Sequence, residues 1–102
     1  MESPAARALA LAEAAAFDFA VGDEPAALAK LAEAVAADPA CFEAWLAKAE
    51  VHFAARQLDE ALIAGERAAE LRPKDIHVHT SLSRIWMERG DKTKAEHHGA
   101  QA

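Results

Sequence analysis

Residues 42–75 read FEAWLAKAEVHFAARQLDEALIAGERAAELRPKD, and the 34-residue length of this stretch sets the register for the rest of the chain. Shifting along the sequence by that length brings Pro39 onto Pro73, and shifting twice brings Gly22-Asp23 onto Gly90-Asp91. The chain has only four Gly and four Pro, so these coincidences carry weight, and no insertion interrupts the period across the 102 residues. A repeat of this length is one supersecondary unit that cannot bury its apolar face alone and must stack on its neighbours.

The aligned columns show how such units fit together. Ala15, Ala49 and Ser83 form one column, Ala27, Ala61 and Ala95 a second, and Ala34, Ala68 and Ala102 a third. Small residues at these positions let two helix backbones approach closely. Bulky columns lie between them: Phe19, Phe53 and Met87, then Leu28 and Leu62, then Ala37 and Leu71. Alternation of small and large residues on one amphipathic face is what helix packing requires.

Helix punctuation falls in step with the period. Ser3 before Pro4 suits an N-cap followed by proline in the first turn, where the missing N–H costs nothing. The first helix is expected from about Pro4 to Ala20, stopping at Val21-Gly22. Asp23 caps a second helix, which ends near Ala37 before Asp38-Pro39 breaks the chain. Two further pairs are expected, Phe42 to Ala55 with Leu58 to Leu71, and Ile76 to Arg89 with Lys92 to the end. Every connection is a few residues long, so neighbouring helices form antiparallel hairpins.

Composition agrees with an all-α fold. Alanine, the best helix former, supplies 29 of 102 residues, and tyrosine is absent. Alanine buries little area, so Trp45, Trp86, Phe17, Phe42 and Leu71 are expected to supply much of the apolar burial. Residues 1–71 carry 13 acidic against 5 basic side chains, a net charge of −8, while residues 72–102 carry 4 against 6, a net of +2. An acidic body with a mildly basic end argues against nucleic acid or an anionic membrane as partner, since both demand a concentrated positive surface. One cysteine, Cys41, leaves no intramolecular disulfide and suits a reducing compartment. The N-terminus lacks a basic region before its Ala/Leu run, and no apolar stretch reaches the roughly 20 residues of a membrane span. A cytoplasmic location is the expectation.

The middle unit resembles the tetratricopeptide repeat family in Ala44-Trp45, Ala49, Leu58-Asp59-Glu60-Ala61, Ala68 and Glu70-Leu71-Arg72-Pro73, and the resemblance extends over nearly the whole chain. It implies an α-solenoid of three stacked antiparallel helix hairpins in a right-handed superhelix, forming a single domain over residues 1–102. The units would cover about 8–41, 42–75 and 76–102, the last incomplete. It also implies a groove on the inner face of each pair's first helix. Matching columns place Leu9, Ala12, Ala16, Phe19, Glu43, Leu46, Glu50, Phe53, His77, Thr80, Arg84 and Met87 there. Members of the family that grip acidic C-terminal tails use Lys, Arg and Asn side chains, but the corresponding positions here are Ala12, Ala16, Ala47, His77 and Ser81, which cannot clamp a carboxylate. Glu43 and Glu50 favour a ligand with basic residues near its middle.

Two departures from the family pattern stand out. The column that usually holds a large aromatic in each second helix reads Leu31, Gly65, Gly99, and the space beside Gly65 is expected either to be filled by an aromatic of the following unit, Trp86, or to leave the third unit loosely packed. The last helix, Lys92 to Ala102, is short and polar, so it either caps the stack or continues beyond Ala102; the lack of a stop signal favours continuation.

Catalytic patterns are missing: there is no Gly-rich phosphate loop, no nucleophile with an evident base and no paired Cys ligands, so no enzyme, cofactor or metal is expected. His77 and His79 are two apart and His97 and His98 adjacent, spacings that point each pair to different faces of a helix rather than at one ion. They read as solvated or partly packed. The groove candidates are therefore Phe19, Glu43, Leu46, Glu50, Phe53, His77, Thr80, Arg84 and Met87. The leading expectation is a non-catalytic module holding a peptide or helix of a partner protein in an apolar groove. The alternative is a homo-oligomer formed through the incomplete third unit.

Overall fold

A computed structural model describes residues 2–102. Six helices follow in order: α1 Pro4–Ala20, α2 Glu24–Ala37, α3 Phe42–Ala54, α4 Leu58–Leu71, α5 Ile76–Glu88 and α6 Lys92–Gln101. They pack as consecutive antiparallel pairs, α1 with α2, α3 with α4 and α5 with α6, and the first helices of successive pairs also touch. The result is an all-α solenoid, with extents of 46 × 27 × 18 Å over the described residues.

Capping explains where most helices begin. Ser3, Asp23, Asp75 and Asp91 each accept a hydrogen bond from a backbone N–H three residues on, satisfying one of the donors that a helix start leaves without a partner. Cys41 and Gln57, the N-caps of α3 and α4, make no such side-chain bond. Ala55 and Arg89 act as C-caps, so α3 and α5 stop one residue short of the sequence expectation. Within the hairpins the chain turns through a left-handed residue at Gly22 and Gly90, both at φ 87°, and at Arg56, φ 63°. These three positions are one repeat apart, and the middle unit places a side chain where its neighbours use glycine.

The small columns do pack between helices. Ala15, Ala27, Ala34, Ala49, Ala61 and Ala68 are fully buried, and Ala95 nearly so. Ser83 is half-buried and donates its hydroxyl to the Ala95 carbonyl at 2.8 Å, while Ala102 is exposed beyond the end of α6. Two apolar clusters result. One joins α1 and α2 to α3 around Leu31, reaching as far as Val51; the other runs from Phe42 and Leu62 through Val78, Leu82 and Ile85. Each such large side chain, fully buried, contributes about 1.5–3 kcal/mol. Contrary to expectation, Phe17 is exposed, at 68%.

The space beside Gly65 is filled by Leu82, not Trp86. A Cβ on Gly65 would lie 2.8 Å from Leu82 Cδ2. Leu82 lies in the same α5 turn as Ile85 and is wholly buried. Trp86, one turn further on, lies with Lys94 Nζ 4.4 Å from its ring centroid. The missing aromatic is thus replaced by an aliphatic side chain from the next unit.

Candidate functional site

Because the first helices of the three pairs are 34 residues apart and stack on one another, equivalent positions on α1, α3 and α5 line up along one face. A cavity of about 360 Å³ opens there. Phe19 of α1, Glu50 and Phe53 of α3, and His77, Thr80 and Arg84 of α5 line it, with Ala49, Ala54, Ser81 and Ile85 completing the wall. Six of the nine candidate residues thus meet at one place.

The other three lie apart from this cavity. Glu43 pairs with Arg72 at 3.2 Å, and that guanidinium also lies 4.1 Å from the Phe42 ring centroid. Leu46 is half-buried against the second apolar cluster. Met87 is 58% exposed and does not line the cavity. Of the remaining inner-face positions, Ala12 is buried while Leu9 and Ala16 are exposed.

The electrostatics of the cavity centre on Glu50. Although Glu50 is exposed by surface area, partial loss of hydration beside the groove wall raises its carboxyl above the ordinary range, and the charges of His77 and Arg84 pull it back only in part. Neither comes close enough to neutralise it: Glu50 has no ion pair within 4 Å among the described residues. Arg84 instead lies 5.0 Å from the Phe53 centroid, a cation–π contact that holds its charge at the cavity edge. The site therefore offers two aromatic walls, a carboxylate lacking a close counter-charge and a small polar rim.

The histidines divide differently from the sequence reading. His77 lines the cavity. His79 is neither solvated nor partly packed: it is 7% exposed and bonded at both ring nitrogens. Spacing along one helix could not reveal this, because its partner, His98, comes from the other helix of the hairpin. Among the described residues no three or more His, Cys, Asp or Glu side chains are grouped to hold a metal ion, and no helix is long and apolar enough to cross a membrane.

The consecutive helix pairs and their 34-residue period define a helical-repeat protein. A family model described as tetratricopeptide repeat matches residues 18–85, and the chain belongs to that family. The family typically comprises non-catalytic modules that mediate interactions between proteins. No curated protein matches the chain.

Proposed function

We propose that this chain is a non-catalytic interaction module whose inner groove takes an apolar segment of a partner protein carrying a Lys or Arg opposite Glu50. One observation carries the reading: three different helices converge Phe19, Phe53, Glu50, His77, Thr80 and Arg84 on a cavity of about 360 Å³. The aromatic walls supply area for an apolar side chain, and such burial gives about 25 cal/mol per Å² before ordering costs are subtracted. Glu50 supplies selectivity. A carboxylate already stripped of part of its hydration and lacking a close counter-charge gains more from an incoming ammonium or guanidinium than a fully solvated one would. With Glu43 engaged by Arg72, Glu50 is the groove carboxylate open to a ligand.

Self-association through the third pair is the competing reading. Helix α6 has no large apolar side chain with which to build such a contact.

Site-specific photocrosslinking tests the groove. A crosslinker at position 53 should capture partner segments in which an apolar residue neighbours Lys or Arg, and Glu50→Lys should abolish the capture. A crosslinker at Ile63, 69% exposed on α4, is the control on the outer helix layer. Equal capture at both positions, insensitive to Glu50→Lys, would contradict the proposal, and crosslinked homodimers through α6 would favour self-association.

A further inference from the structure

Helix α6 is held to α5 by three layers one helical turn apart on α5. Trp86 meets Lys94, with the ammonium 4.4 Å from the ring centroid. Ser83 donates to the Ala95 carbonyl at 2.8 Å. His79 meets His98, Nδ1 to Nδ1 at 3.2 Å, with the rings stacked at a centroid distance of 5.4 Å. Ala95 is the one buried residue of α6, so this seam depends on polar contacts to a degree the other hairpins do not.

The protons of the histidine pair follow from its surroundings. His79 Nε2 lies 2.6 Å from the Pro73 carbonyl oxygen. A carbonyl oxygen only accepts, so Nε2 carries the hydrogen and donates. In a neutral imidazole that leaves Nδ1 of His79 bare, an acceptor. His98 must then carry its hydrogen on Nδ1 and donate it to His79, leaving its own Nε2 bare. One added proton fits on His98 Nε2 without disturbing the bond between the rings. A second must go to His79 Nδ1, and two N–H groups then face each other 3.2 Å apart.

We propose that His79 and His98 form a proton-controlled clasp that docks α6 on α5 at neutral pH and lets it go in acid. Docked, the pair takes at most one proton with its hydrogen bond intact; released, both rings are free to take one. Each proton bound in excess by the released form shifts the docking equilibrium by up to about tenfold per pH unit once the pH falls below the ordinary histidine range near 6.5. Burial also pushes His98 below that range, and the neighbouring His79 and His97 add to the effect, while Glu66 of α4 opposes it. A lowered folded value means that the released state binds more protons, so this contribution to docking is present above about pH 6.5 and declines as the pH falls. What α6 uncovers on leaving is the flank of α5 that carries His79, Ser83 and Trp86, next to the second apolar cluster.

Nuclear magnetic resonance on the whole chain tests this in two ways. Long-range ¹⁵N–¹H spectra at pH 7.5 should show His79 as the Nε2–H tautomer and His98 as the Nδ1–H tautomer; His98 in the Nε2–H form would overturn the proposal. Amide exchange should show α6 losing protection at least tenfold between pH 7.5 and 5.0, after correction for intrinsic rates, while α1 to α4 keep theirs. His98→Gln, whose amide can donate to neutral His79 and, turned over, accept from protonated His79, should flatten that response, and His97→Gln should leave it in place. PH-independent α6 protection in the wild type, or an unchanged loss in His98→Gln, would overturn the clasp.

Discussion

Gly65 sits inside α4, where glycine costs about 1 kcal/mol relative to alanine, and its lack of a side chain lets Leu82 of the next hairpin approach. Gly65→Ala would recover the helix propensity but force a Cβ to 2.8 Å from Leu82 Cδ2. Leu82 is fully buried, so displacing its methyl disturbs the packing around it, and overpacking of about 1–3 kcal/mol outweighs the gain. We expect a net loss near 1 kcal/mol by denaturant titration, turning into a gain in a Leu82→Ala background; additivity of the two changes would show that they do not meet. At Gly22, nothing lies within 4 Å of an added Cβ, so the cost of Gly22→Ala is conformational alone. The left-handed backbone there makes it about 1 kcal/mol. Arg56→Gly, at the equivalent turn, should be nearly neutral. Relief of the same strain is offset by the greater freedom of glycine in the unfolded chain and by loss of the exposed Arg56–Glu88 pair. Glu50 supplies the pH-dependent case. Its folded pKa is raised, so the folded chain binds the proton more tightly, and the stability this gives in acid is lost as the pH rises above about 4.5. Glu50→Gln should therefore raise the melting temperature at pH 7, with the difference shrinking towards pH 4; a lower melting temperature at pH 7 would show that the carboxylate is stabilised by contacts in the groove.

At the scale of the helix, capping chemistry sets boundaries more firmly than propensity does. Asp75 accepts from the Val78 N–H at 3.2 Å, and Asp75→Ala should cost about 1 kcal/mol. For a chain of this size that corresponds to a fall of about 4–8 °C in melting temperature. The six helices were legible in the sequence because Pro, Gly and Asp stand in register at most of their ends, and the period located the α3–α4 turn, where Ala55, Arg56 and Gln57 include none of them. Two details were not. Which side chain fills the space at Gly65 depends on the rotation of α5 against α4, and aromatic size alone pointed to Trp86 when Leu82 faces the gap. The His79–His98 contact joins residues 19 apart on two helices, so no spacing rule for one helix could reveal it.

For the whole molecule, the 34-residue period does more than specify a stack. It places residues of equal rank on α1, α3 and α5 along one face, so six of the nine residues that the family resemblance suggested for the groove line one cavity. Glu43, Leu46 and Met87 fell outside because the period fixes angular position but not what a neighbour does: Arg72 engages Glu43, the second cluster draws in Leu46, and Met87 sits 58% exposed away from the cavity. The central claim is that the inner groove selects an apolar segment with a basic residue. Selection of a random displayed-peptide library on the immobilised chain tests it most directly. The account predicts enrichment of sequences pairing a large apolar residue with Lys or Arg, lost in Phe53→Glu and inverted towards acidic residues in Glu50→Lys. Enriched sequences that lack a basic residue, or that bind both variants as well as the wild type, would contradict it.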